Sequence, residues 1–334
     1  MLSGLNWRRL LYLVIGFGLF ALALRDVDLG EVWGQIAKVG LWGSIVVCTV
    51  HLVAFLLDTA AWQRALPSTR LTPGWLYSLW KARMVGEAFN VIVPAASFGG
   101  EPVKALILKR HHGIGYREGG ASVILQRTII LLSMTLFFGN GVAIMLVEGT
   151  LPRAYELLAA TAWLALSLGI FGFFAVQRWA VASRAARIVA RWPLARRLEG
   201  LLEEIESVED LFKDFYSRRP RDFALALVMT FGNWVLFAVE IKVIVFFLGA
   251  SMTWSEAWLL ATLVELIRAG LFLIPGGLGA VEIGFVTLVQ IMTGAPALGL
   301  AIALVRRGRE LLFIAWGLLI GWRYPSFAPA PQGE

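Results

Sequence analysis

Apolar residues run along this chain in stretches of about 20, the length an α-helix needs to cross the hydrocarbon layer of a bilayer. Six stretches qualify as spanning helices: residues 10–24 with their flanks, 39–61, 120–147, 157–176, 223–248 and 297–322. Two more, 75–111 and 254–293, are as apolar but are interrupted by PAASFGGEP and PGGLGAVE. Proline removes a backbone donor and glycine permits a tight turn, so each interruption stops one helix and frees the N-terminal N–H groups of the next. Each interrupted segment reads as two short helices that enter and leave the same side of the membrane. Such a break is tolerated at depth when it is buried in protein or lines a cavity. The expected fold is an all-α polytopic membrane protein with six transmembrane helices plus two interrupted re-entrant hairpins.

The two interruptions repeat one another. Pro94 precedes Glu101 by seven residues, and Pro275 precedes Glu282 by seven. Gly99 and Gly100 lie in the first interval, and Gly276, Gly277 and Gly279 in the second. A helix with both charge signs comes before each break, carrying Arg83 and Glu87 or Glu265 and Arg268. A spanning helix with internal arginine follows each, carrying Arg127 or Arg306, Arg307 and Arg309. The pattern predicts one membrane domain over residues 1–322, with repeats at about 39–147 and 223–322, a loop at 177–222 and a short cytoplasmic tail at 323–334. Transporters built from inverted repeats hold their substrates near the midplane, between broken helices. A helix N-terminus there favours an anion.

Charge supports this order of elements. With the N-terminus inside and both interruptions re-entrant, 21 of the 30 Lys and Arg fall on the cytoplasmic side and three outside, as the positive-inside rule requires. Two short full crossings in place of each hairpin preserve the same bias. The net charge of +7 is therefore loop bias rather than a nucleic-acid surface. Composition agrees, with 58% hydrophobic and 16% charged residues. Many of the 14 Trp stand at the ends of apolar runs, where the headgroup layer suits them. The single cysteine, Cys48, excludes an intramolecular disulfide and a cysteine-rich metal site. In the loop, Leu198, Leu202, Ile205, Val208, Leu211, Phe212 and Phe215 recur at helical spacing opposite a carboxylate-rich face, which predicts a surface helix packed on the membrane domain. That loop is also the place where a lipid-biosynthesis partner would dock.

Ionisable groups inside membranes are costly and mark function. Arg127 has no acidic neighbour in its own turn, so Glu87 or Glu101 is expected to serve it. Arg306 and Glu310 stand at i,i+4, and Glu265 and Glu282 are expected to partner Arg307 and Arg309. The surplus cation would leave a net positive interior suited to phosphate, which a guanidinium grips with two parallel donors. Glu240 is expected to face the interior, with Lys242 reaching toward the membrane edge. Asp58 reads as a residue near the cytoplasmic end of its helix, and His51 as a helix-packing group. No metalloprotease, nucleophile-elbow, P-loop or dinucleotide motif occurs in a convincing context, so no catalytic residue, metal or cofactor is expected.

Asn90, Pro94, Gly99-Gly100-Glu101 and Arg127, with PGGLGAVE and RRGRE, resemble the flippase-like family that contains the transmembrane region of lysylphosphatidylglycerol synthases. The likeness covers about residues 39–322 and is nearest to small stand-alone members, including those associated with hopanoid biosynthesis. It implies a bacterial inner-membrane protein that moves a phospholipid or an isoprenoid-linked lipid between leaflets, with both termini cytoplasmic. Arg127, Arg306, Arg309, Glu101, Glu282 and Asn90 would form the substrate site. Arg83, Glu87, Glu265, Arg268, Glu240 and Glu310 would supply ion pairs or proton coupling. About a dozen residues follow Trp322, so the aminoacyl-transferase domain of the complete synthases is not expected. Gln126 stands where many relatives carry an acid, which argues against local pairing of Arg127. The rival readings are a lipid-phosphate enzyme and a scaffold for lipid synthesis.

Overall fold

The computed structural model describes residues 14, 18–25, 27–92, 99–149, 151–179, 199–271, 274 and 277–323. Pro94, Pro275, Gly276, most of the first expected span and residues 180–198 of the loop lie outside them. Among the described residues the regular structure is helical throughout. After helical residues 18–24 come α1 (Leu29–Ala65), α2 (Pro73–Ile92), α3 (Glu101–His112), α4 (Tyr116–Glu148) and α5 (Arg153–Arg178). A surface helix, α6 (Glu199–Lys213), leads through a π-helical turn at Asp214–Arg218 into α7 (Pro220–Phe247). The chain then forms α8 (Trp254–Gly270), α9 (Ala280–Thr293) and α10 (Pro296–Arg323).

Four of these helices, α1, α4, α5 and α7, are long and apolar enough to cross a membrane. Helix α10 has the length, at 28 residues, but places Arg306, Arg307, Arg309 and Glu310 within five positions. On α5 the outward face carries exposed Leu157, Leu158, Leu164, Leu168 and Phe171, a surface for lipid chains and not for water. Both interrupted segments divide where the Pro and Gly residues fall. Helices α3 and α9, with 12 and 14 residues, span about 18 and 21 Å, short of the roughly 30 Å hydrocarbon thickness.

The span expected from residue 39 starts as a helix ten residues earlier, at Leu29. The Asp28 carboxylate caps it, accepting hydrogen bonds from the Gly30 and Glu31 N–H groups at 2.8 and 3.3 Å. At Gly40 the chain takes φ 56° and ψ −170°, a conformation open to glycine and strained for other residues. The kink divides α1 into a first part of mixed polarity and a more apolar second part. The carbonyl at the kink accepts the Ser44 hydroxyl at 2.8 Å.

Packing follows one plan twice. Helix α1 lies along α7; α2 packs on α10 as α8 packs on α4; α3 lies on α4 as α9 lies on α10. Exchanging α1–α4 for α7–α10 therefore carries each of these contacts into another. Apolar burial drives helix association weakly in lipid, so close packing and polar contacts carry it. An aromatic layer marks the α4–α8 seam, where the Phe137 ring stacks 4.6 Å from Trp258 and 5.9 Å from Trp234. On the α6 side, Val208, Leu211, Phe212 and Phe215 pack with Trp62 and Ile107, so this part of the loop helix docks as its spacing predicts.

Candidate functional site

The α2–α3 junction is held by Gly86, Gly100 and Asn90. A methyl group on Gly100 would sit 1.8 Å from the Gly86 carbonyl oxygen, so the start of α3 meets the backbone of α2 directly. The Asn90 amide oxygen accepts from the Gly100 N–H at 2.7 Å, and its nitrogen donates to Glu87 at 3.1 Å. This contact fixes Glu101 and Lys104 on the first turn of α3. The Glu101 carboxylate accepts from Arg127 Nε and Nη2 at 2.9 and 2.7 Å and from Lys104 Nζ at 3.1 Å. Lys104 also reaches Glu87 at 3.2 Å. Nearby, Arg83 pairs with buried Asp58 and donates to the Phe55 carbonyl at 3.0 Å, while Thr230 of α7 donates to Asp58 at 2.9 Å.

The second hairpin repeats the key pair. Glu282 opens α9, and one of its oxygens accepts from the Gly279 N–H at 2.8 Å, capping the helix. Its other oxygen takes Arg307 Nε and Nη2 at 2.9 and 2.7 Å. Arg127 on Glu101 and Arg307 on Glu282 are thus one device used twice: an arginine of the following long helix closes on the carboxylate seven residues after the break. Glu310 accepts from Arg307 at 2.8 Å. The expected i,i+4 pairing of Arg306 with Glu310 does not form, because Arg307 reaches that carboxylate first at i,i+3. Glu240 accepts from Arg309 Nε and Nη2 at 3.0 and 2.7 Å, with His51 at 4.0 Å. Glu265 stands 3.4 Å from Arg268; it partners neither Arg307 nor Arg309.

Arg306 has two unpartnered donors among the described residues, where Arg83 and Arg268 have one each. Arg306 is 5% exposed, yet its nearest carboxylate oxygens, on Glu240 and Glu265, are 3.9 and 4.0 Å away. Its Nε and Nη1 donors have no hydrogen-bond partner among the described residues. The guanidinium instead lies over the Phe237 ring, 3.8 Å from its centroid, with Phe285 at 5.3 Å. Cation–π contact holds the charge in place and leaves in-plane donors uncommitted.

Most of these groups border a cavity of about 310 Å³ lined by residues of α1, α2, α4 and α7–α10. Its described lining carries six arginines and six carboxylates, so the expected net positive interior is corrected to a balanced one. Asp58, read from sequence as lying near the end of its helix, joins the carboxylates of the lining. Buried charge of either sign is stable only when paired, and hydrogen bonding here is incomplete: Arg306 lacks partners at Nε and Nη1, Arg83 and Arg268 at Nε, and one Glu265 oxygen accepts none among the described residues. Among the described residues no group of three or more His, Cys, Asp and Glu has metal-binding geometry.

Of the expected site residues, Arg127, Arg306, Arg309 and Glu282 line the cavity, as do Arg83, Glu87, Glu240, Glu265, Arg268 and Glu310. Asn90 and Glu101 stand behind it, one holding the turn and the other holding Arg127. Three side chains read otherwise from sequence belong to the site. Asp58 is buried against Arg83, His51 lines the cavity beside Arg309, and Lys104, which the sequence reading took in only through its count of cytoplasmic-side cations, is fully buried between two carboxylates. Lys104 follows Glu101 by one helical turn, a spacing that identifies the pair once the break is placed. Gln126 does not deprive Arg127 of a partner, since Glu101 takes that role.

Similarity to known proteins agrees with this architecture. The chain is 22% identical over 312 residues to a UPF0104 membrane protein of Methanothermobacter thermautotrophicus, covering 88% of this chain and 89% of that protein. No solved structure matches the chain. The family model for the lysylphosphatidylglycerol synthase TM region matches residues 9–317. That match takes in both interrupted segments and every described residue that lines the charged cavity, and this membrane protein belongs to the lysylphosphatidylglycerol synthase transmembrane-region family.

Proposed function

We propose that the protein moves a lipid between leaflets of the cytoplasmic membrane, with the headgroup passing through the charged cavity. The observation that carries this reading is Arg306, a buried cation with two unpartnered donors in a cavity lined by six arginines and six carboxylates. A phosphate oxygen fits those donors, and charge-assisted hydrogen bonds are the strong ones. The cavity's carboxylates suit an amine on a zwitterionic headgroup. Balance also favours release: a strongly positive pocket would trap the anion, whereas paired groups exchange partners at small net cost.

In this reading, α1–α4 and α7–α10 form an inverted repeat with six full spans, two re-entrant hairpins and both termini in the cytoplasm. The twofold pattern of helix contacts supports it, and so does the recurrence of the Arg127–Glu101 and Arg307–Glu282 pairs. Rocking one set against the other would open the cavity toward each leaflet in turn. Asn90, Gly99 and Gly100 would hold the first hairpin, and Gly277 and Gly279 the second.

Leaflet accessibility of fluorescent phospholipid and polyprenyl-phosphate analogues in proteoliposomes tests the assignment. Protein-dependent equilibration of an unmodified analogue is the expected outcome. A chemically altered analogue would assign an enzyme instead, and absence of movement for both lipid classes would contradict translocation.

A further inference from the structure

A second cavity, of about 540 Å³, lies between α1 and α10. Its described lining is almost wholly apolar or small, including Ile36, Val47, Leu304 and Leu312. Gly40, where α1 kinks, also lines it, and Ser44 satisfies the carbonyl at the kink from within the helix. The wall therefore offers an apolar chain no unsatisfied backbone acceptor at that point. One charged residue borders this crevice, Arg309, and Arg309 also borders the charged cavity. Its guanidinium faces Glu240 and His51 on the charged side.

We infer that this crevice holds a hydrocarbon chain of the same amphiphile whose headgroup enters the charged cavity, with the Arg309–Glu240 pair at the junction of head and tail. The inference rests on the lipid reading above and adds a path for the tail. Two facts select this occupant. The crevice abuts the charged cavity, with Arg309 lining both, and its α1 wall from residue 36 to 48 runs about 18 Å, a length for an extended chain and not for a headgroup. A polar solute would find Arg309 as the one charged group among the described lining residues.

Gly308 provides the test. It lines the crevice, and a methyl group added there meets nothing within 4 Å, so Gly308→Leu and Gly308→Trp fill crevice space without displacing a neighbour at Cβ. The full chain in proteoliposomes would be photolabelled with phosphatidylglycerol bearing a diazirine at mid-chain, and the adducts mapped by mass spectrometry. Label is expected on the crevice segments 36–48 and 304–312, falling about tenfold in Gly308→Trp and by less in Gly308→Leu. On the wild type, excess oleyl phosphate should suppress this label and inorganic phosphate should leave it. Label spread evenly over lipid-facing helices would overturn the tail path while leaving the headgroup reading to the leaflet assay. Crevice label that persists undiminished in Arg306→Gln would overturn the joint site, since head and tail would then bind independently. Equal suppression by inorganic phosphate would also overturn it.

Discussion

Replacing Glu240 by glutamine is expected to destabilise the protein by about 3–5 kcal/mol, the cost of leaving buried cations without their carboxylate. Glu240 is 1% exposed and is the carboxylate that hydrogen-bonds Arg309 twice. Its oxygen is also the nearest acidic atom to Arg306, at 3.9 Å. Glutamine keeps the shape and one acceptor but removes the charge, so two buried guanidinium groups would face a lining that has lost its balance. The measurement is the midpoint of thermal unfolding in detergent, followed by loss of monodisperse protein. Arg309→Gln in the same background should recover part of the loss, because the pair is then removed as a unit and the two effects do not add. Equal midpoints for Glu240→Gln and the wild type would mean that Arg309 is not held by this carboxylate.

Gly100→Ala is expected to cost about 3 kcal/mol, at the upper end of overpacking effects. The added carbon would lie 1.8 Å from the Gly86 oxygen and 2.5 Å from its carbonyl carbon. Both are backbone atoms, so no side chain can rotate away, and α3 must move off α2. Glu101 and Lys104 would move with it, loosening Arg127 and Glu87 together. Gly74→Ala serves as the control: it lies on the same helix as Gly86, and an added methyl meets nothing within 4 Å. Its midpoint should match or slightly exceed the wild type, while that of Gly100→Ala falls sharply. If both variants behaved alike, the close approach at the first hairpin would not be a packing constraint.

The elements and the breaks are legible in the sequence for a simple physical reason. Length and apolarity define a span, and a proline with glycines leaves a local mark that tertiary structure does not erase. The seven-residue interval from proline to glutamate therefore locates the start of both α3 and α9, at Glu101 and just before Glu282. Residues 29–38 were harder to place because that part of α1 is mixed in polarity and joined to the apolar part through the Gly40 kink. Partner choice within the cavity was legible only in part. Arg127 had no local acid, so its partner had to come from the hairpin, and Glu101 supplies it. On α10, by contrast, spacing permits Glu310 to meet either Arg306 or Arg307, and side-chain direction decides for Arg307. Asp58 and His51 carry no distinguishing sequence signal of their own, and Lys104 has only its one-turn spacing from Glu101. Their role depends on which helices face one another, which is a property of the assembled bundle.

The rate of leaflet equilibration for Arg306→Gln against wild type, at matched reconstitution, tests the central claim most directly. Arg306 has two donors without a partner among the described residues, and Arg309 and Arg268 remain to serve Glu240 and Glu265, so the variant should fold, with a smaller loss of midpoint than Glu240→Gln. Loss of a charge-assisted contact worth roughly 1.5–3 kcal/mol should slow movement of a phosphate-bearing lipid by about tenfold or more. Wild-type rates in a folded Arg306→Gln protein would contradict the account, because the headgroup would then cross without the cation that this cavity leaves uncommitted.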